Sequence, residues 1–181
     1  MKIISRYVSI EALKARWRSG LTLRFAKPSF VGSNPTRAST MKDKLYFVGL
    51  KAFIVNEKHE LLILQGSNKM KPEGLWGLPG GRIMEGEEQT ELSTILAREI
   101  QEECGLIQVD IGEITTPWRF FTKDKAIFLL GYTCTYKGGE VHLSEEHSSY
   151  KWVTEKDIEA IPFIDGYKEV IVSFFSRRNS K

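Results

Sequence analysis

The segment Arg98-Glu99-Ile100-Gln101-Glu102-Glu103-Cys104-Gly105-Leu106 places three carboxylates within five residues of a stretch that reads as a helix. At ~100° per residue they fall within about one third of the helix circumference. Leu92, Ile95, Leu96 and Ile100 lie on or beside the same stripe. Carboxylates beside an apolar face lose hydration and repel one another. A bound divalent cation offsets both effects, and a hard cation such as Mg²⁺ prefers oxygen ligands. For three glutamates alone, a solvated acidic face is the competing reading. The flanking glycines argue against it. Gly80 and Gly81 precede the helix, Gly86-Glu87 follow at a fixed offset, and Gly105 stands where a helix-ending glycine belongs.

The stretch from Gly81 to Leu106 resembles the Nudix box, G-x5-E-x7-R-E-U-x-E-E-x-G-U, with U a bulky apolar residue. Gly81 and Glu87 match its first half, and Arg98, Glu99, Ile100, Glu102, Glu103, Gly105 and Leu106 match its second half. Ten residues, Glu88 to Ala97, separate Glu87 from Arg98 where the pattern has seven. The extra three precede the carboxylate cluster and are expected in the loop or in an added first helical turn. The loop-bracing role of Glu87 then falls to Glu87 itself, or to Glu88 or Glu91. A weaker likeness runs from about Tyr46 to Ile161.

The resemblance implies an α+β fold, a Nudix-type α/β/α sandwich with a mixed sheet. It implies Mg²⁺-dependent cleavage, with Mn²⁺ as the second candidate, of a pyrophosphate bond in a nucleoside diphosphate linked to another group. Glu99, Glu102, Glu103 and the Gly80 carbonyl are the implied metal ligands. Glu102 and Glu103 belong to the implied catalytic set. Arg98 belongs there too, as a group that forks onto a glutamate and holds the loop against the helix. The general base in the family is a box glutamate or one from a later loop. Ser144-Glu145-Glu146-His147 occupies that loop, so Glu146 is the first choice and Glu145 the second; an exposed acidic turn is the alternative. His147 is expected to be structural. Arg82 is a candidate phosphate contact. Trp118 and Phe120, beside Arg119 and Phe121, form an aromatic run that could stack a base, although core packing is the commoner fate of such rings.

The expected partner is a small nucleotide, with a nucleoside triphosphate favoured over ADP-ribose, nucleotide sugars and dinucleoside polyphosphates. A homodimer is the assembly the resemblance suggests. The runner-up function is a nucleotide-binding or sensing module that keeps the fold without turnover, for which the three-residue insertion is the argument. Three mutually repelling carboxylates argue for the hydrolase, which predicts that all three matter.

Composition bounds these readings. The chain has 181 residues, 41% hydrophobic and 27% charged, enough for one domain with a sizeable core. No apolar run reaches the ~18 residues of a membrane span. Cys104 and Cys134 form no metal pattern, nothing demands an oxidising compartment, and a cytoplasmic location is expected. Residues 1–40 carry eight basic side chains and one acid, leaving 18 basic and 22 acidic residues beyond them, a net of −4. The overall +3 therefore belongs to the N-terminal segment and is no argument for nucleic-acid binding. Gly32-Ser33-Asn34-Pro35 can be encoded by GGTTCGAATCC, which resembles a tRNA T-arm, and Met41 opens a run like a natural start. Residues 1–40 are accordingly expected to be a non-native or disordered extension, with a targeting segment or a basic arm as alternatives, and 41–181 the Nudix domain.

Patterning predicts a hairpin of Tyr46–Val55 and Glu60–Gln65, a helix from about Gln89 to Cys104, and strands at Ile107–Thr115, Trp118–Phe121, Lys125–Tyr136 and Tyr150–Val153. A short helix near Glu155–Ala160 begins at Thr154, with Asp157 at its third position, and an amphipathic helix covers Asp165–Arg177.

Overall fold

Alternating apolar residues in the first two strands set the architecture. In β1 (Phe47–Val55), Phe53 and Val55 face one side and Leu50, Ala52 and Ile54 the other. In β2 (Leu61–Gly66), Leu61 and Ile63 join the first group and Leu62 and Leu64 the second. A sheet apolar on both faces must be covered on both. Helix α1 (Leu92–Cys104) covers one face with Ile95, Leu96 and Ile100. Each such burial contributes roughly 1.5–3 kcal/mol. Helix α2 (Tyr167–Asn179) covers the other face with Ile171, Phe174 and Phe175, beside Ile158 of a 3₁₀ helix at Glu155–Ala160. The result is an α/β/α sandwich.

The computed structural model describes residues 45–69, 73–105, 107–121 and 125–179, without the side chains of Phe120 and Asn179. These belong to one compact unit, Leu45–Lys181. The expectation for residues 1–40 lies outside the described residues. The sheet is completed by β3 (Trp76–Gly77), β4 (Gln108–Phe121), β5 (Ala126–Gly138) and β6 (His147–Val153). Its order is β3-β2-β1-β5-β4, with β6 paired to β2. β1 and β5 run parallel and the other pairs antiparallel, so the sheet is mixed. Among the described residues no helix is long and apolar enough to cross a membrane.

Several boundaries differ from the sequence reading, two of them in the elements around the box helix. The strands expected at 107–115 and 118–121 are a single strand, β4. Pro117 does not break it, because β4 ends the sheet order and a strand with a free edge tolerates a missing N–H. Register shifts between Ile111 and Ile114, and between Ile114 and Thr116, absorb the irregularity. The box helix starts at Leu92 rather than near Gln89, since residues 85–90 form successive turns, closed by Thr90 N–H on Glu87 O at 2.9 Å. The inserted residues therefore lengthen the loop and leave the helix alone. The short helix expected at Glu155–Ala160 is present with those bounds as a 3₁₀ helix, and the Asp157 carboxylate accepts from Thr154 N–H and Thr154 Oγ1, each at 2.7 Å.

Candidate active site

Gly80 and Gly81 bring backbone against side-chain carboxylates. The loop is tied to β1 by Ala52 N–H on Pro79 O (2.9 Å) and Leu50 N–H on Gly81 O (2.8 Å). Gly80 has φ of 119°, and a Cβ there would stand 2.3 Å from Leu50 O. A Cβ on Gly81 would stand 2.1 Å from Glu99 Oε2. Only hydrogen at these positions lets the Glu99 carboxylate and the strand approach. Gly80 N–H also donates to Glu103 Oε2 at 2.6 Å.

Helix α1 sends its three glutamates to different surroundings. Glu103 is buried, its side chain 7% exposed, and Glu99 is nearly so at 13%. Glu102 is 57% exposed. The i, i+4 spacing puts Glu99 and Glu103 on one side of the helix, and Glu102, one residue off, faces solvent. Arg98 gathers the outer set. Its Nη1 donates to Glu102 Oε2 at 2.9 Å, and its Nη2 reaches Glu87 Oε1 at 2.8 Å and Glu99 Oε1 at 2.9 Å. Glu87 also accepts from Met84 N–H at 2.8 Å, so Glu87 braces the lengthened loop. Glu88 and Glu91 are exposed and do not replace it.

Burial pushes the Glu99 carboxyl above its ordinary value; Arg98 opposes this and Glu103 adds to it. Lys51, from β1, faces the same carboxylates. Burial acts to lower its pKa, but Tyr167, Glu103 and Glu99 outweigh that and hold it above the ordinary lysine value. Its ammonium donates to Leu78 O at 3.0 Å and also to Gly80 O. Sequence reasoning missed Lys51, although it is the only charged residue of the run FVGLKAFIV. Cys104 is buried behind the cluster, its thiol pushed up to about 12 by burial, which fits a packing role.

The loop before β6 reaches the same place. Ser67 ties it down, N–H to Glu146 O at 2.8 Å and Oγ to Glu145 O at 2.7 Å, while Ser144 N–H meets Glu103 O at 3.4 Å. Glu145 turns away to pair with Lys69. Glu146 is exposed but stays beside the cluster: one donor atom each from Glu103, Glu146 and His147 lie within 4.8 Å of one another. His147 is 7% exposed and was expected only to be structural.

The cleft over these groups has a volume of about 860 Å³, within the range of nucleotide-sized pockets. Gly80, Arg82, Arg98, Glu99, Glu102, Glu103 and Glu146 all line it. Arg82 lies exposed at the rim, its guanidinium 5.5 Å from the centre of the Phe47 ring. Trp118 is elsewhere. Its indole packs edge-on against Phe53 and Tyr167 in the core under α2, and it does not line the cleft. Alternation along β4 turns it to the α2 face, so the base-stacking role expected of it has no support in its position. The backbone of Phe120 pairs with Ile127, and its side chain lies outside the described residues.

This sandwich with an acidic cleft under a glycine-rich loop has known counterparts. A model of the NUDIX domain matches residues 45–174. The MutT protein from Methanosarcina mazei Go1 is 31% identical, with a TM-score of 0.67, over 78% of this chain and 100% of that one. The 8-oxo-dGTP diphosphatase of Buchnera aphidicola subsp. Schizaphis graminum is 30% identical over 110 residues, 61% of this chain and 79% of its own. Nudix hydrolase 2 of Arabidopsis thaliana is 26% identical over 129 residues, 67% of this chain but only 44% of its own length. The chain belongs to the Nudix hydrolase family, whose class of reaction is hydrolysis of a pyrophosphate bond.

Proposed function

We propose that this protein hydrolyses a pyrophosphate bond in a nucleoside diphosphate linked to another group, using Mg²⁺ or Mn²⁺, with a nucleoside triphosphate as the favoured substrate. The observation that carries the reading is the buried Glu103 carboxylate, set beside Glu99 and within reach of Glu146 at the floor of a nucleotide-sized cleft.

The donor set fits a hard divalent cation. Glu99 and Glu103 offer carboxylate oxygens from one side of a helix, Glu102 lines the cleft beside them, and the Gly80 carbonyl carries a lone pair beyond the one Lys51 engages. These four would hold the ion, which supplies charge neutralisation on the phosphates and a more acidic water. The chain's own groups do the rest. Glu146 takes the proton of the attacking water, a role supported by its place beside Glu103 where Glu145 is spent on Lys69. Arg82 at the rim contacts a phosphate oxygen. Arg98 acts through others, fixing Glu99 and the loop with its three carboxylate contacts.

The sensing-module reading rested on the three-residue insertion. The turns at 85–90 take up that insertion before Leu92, and the Glu87–Arg98 pair spans it, which supports the enzyme. The relative named an 8-oxo-dGTP diphosphatase supports the choice of a nucleoside triphosphate. The test incubates the full chain and Mg²⁺ with canonical and oxidised nucleoside triphosphates, ADP-ribose, nucleotide sugars and dinucleoside polyphosphates, and measures phosphate products. Turnover of a triphosphate that disappears in Glu103→Gln supports the proposal. Binding without turnover across the panel sinks it and leaves the sensing module.

A further inference from the structure

The His147 side chain is 7% exposed, yet among the described residues neither ring nitrogen has a hydrogen-bond partner. Its Nε2 lies 3.2 Å from Glu103 Oε1, close enough for an ion pair but outside hydrogen-bond geometry. A buried imidazole without a partner loses about 1–3 kcal/mol of solvation per polar group. A group that merely packs there would be better replaced by an apolar one. Two donors bound side by side to one cation at ~2.1 Å stand about 3 Å apart without bonding each other. The His147–Glu103 spacing has that form.

The position is also built. His147 opens β6 opposite Gly66, its N–H meets Ser144 O at 3.2 Å, and Glu146 before it is held through Ser67. We infer that His147 is a metal ligand, adding one nitrogen beside the Glu103 carboxylate, with Glu146 left within reach as the base, so that this part of the cleft takes a first-row transition cation such as Mn²⁺ in preference to Mg²⁺. Imidazole suits such ions, whereas Mg²⁺ keeps to oxygen and water. The inference rests on the reading of Glu103 as a metal ligand and adds the nitrogen and the preference.

The chain has three histidines, His59, His142 and His147, which makes the nitrogen assignable. Tag-free full-length protein is loaded with Mn²⁺ and examined by pulsed electron paramagnetic resonance for ¹⁴N coupling. Titration gives the Mn²⁺ and Mg²⁺ affinities in parallel. The wild type is expected to show ¹⁴N coupling, and His147→Gln to lose it together with roughly tenfold or more of its Mn²⁺ preference. The double variant His59→Asn, His142→Asn leaves the cluster untouched and is expected to keep both, so the assignment holds even if His147→Gln misfolds. Mn²⁺ binding with no ¹⁴N coupling overturns the inference while leaving the carboxylate site standing. No Mn²⁺ binding at all overturns both.

Discussion

Two carboxylate clusters share helix α1 and are neutralised in opposite ways. Around Arg98, Glu87, Glu99 and Glu102 each lie within 3 Å of a guanidinium nitrogen. That cluster carries its own cation, so its exposed outer member, Glu102, depends least on one from outside. Around Glu103, the donors among the described residues are the Gly80 N–H and an imidazole that makes no hydrogen bond to them. Lys51 faces Glu103, but its ammonium is committed to the Leu78 and Gly80 carbonyls. A cluster with a resident arginine is a brace. On the proposed function, a buried cluster without one is set up for a cation that arrives. Glu99 belongs to both, which makes it the hinge of the comparison.

The sharpest way to break that comparison is to exchange Glu103 and Glu102, one at a time, for glutamine. Glu103→Gln should lower turnover by about 10²–10⁴, the scale of losing several kcal/mol of metal-borne stabilisation. Its metal-free melting temperature should hold, because the amide oxygen still accepts from Gly80 N–H. Glu102→Gln should cost less, about tenfold, since Glu102 is the most exposed of the proposed carboxylate ligands and Arg98 retains Glu87 and Glu99. Equal losses in the two variants, measured by steady-state kinetics, would show that the brace and the pocket are one unit.

Gly81→Ala comes next. Its methyl would meet the Glu99 carboxylate at 2.1 Å, so Glu99 must move. A displacement of ~1 Å can cost about 10²-fold in rate. Turnover should fall by about that factor with weaker Mg²⁺ affinity, read by kinetics and calorimetry; an unchanged Mg²⁺ affinity would remove Glu99 from the ligand set. Arg98→Lys should be milder, about tenfold, because an ammonium cannot fork across Glu87, Glu99 and Glu102 at once. The loss should appear together with faster proteolysis of the 82–91 loop, which a purely electrostatic role for Arg98 would not produce.

Both clusters were visible as a motif, but their division was not. Residue types and spacing were enough for the helix, the glycine pair and the Arg98 to Glu103 run, because helical periodicity turns spacing into direction. Periodicity placed Glu99, Glu102 and Glu103 within one third of a turn and could not say where the protein surface cuts that arc; packing of Ile95, Leu96 and Ile100 against the sheet decides it. Lys51 and His147 are local in space only. One comes from β1 and the other from the start of β6, and long-range pairing with β5 and β2 brings them in. Trp118 misled because an aromatic in a strand has two faces to choose from, and nothing local marks which is the cleft. The single strand β4 was hidden by Pro117, whose tolerance depends on the strand's place at the end of the sheet order.

The smallest predicted effects separate the two kinds of carboxylate by pH. Asp157 caps the 3₁₀ helix, and its hydrogen bonds from the Thr154 side chain and backbone hold its carboxyl below the ordinary aspartate value of 3.8. Its contribution is therefore present above pH 3.8 and is lost as pH falls through the lower folded-state pKa. Asp157→Asn should melt earlier than wild type at pH 7, with the difference closing in acid. Glu99 is the reverse case. Burial raises its carboxyl above the ordinary 4.5, so its favourable contribution is full below pH 4.5 and is lost as pH rises through the folded-state pKa. In metal-free protein at neutral pH the ionised Glu99 destabilises the fold, and Glu99→Gln should melt later than wild type at pH 7 with the gain closing toward pH 4.5. Thermal melts of both variants across this range, in chelator, read the two signs directly. Matching signs would mean that Arg98 alone neutralises Glu99, and that Glu99 belongs to the brace and not to the cation site.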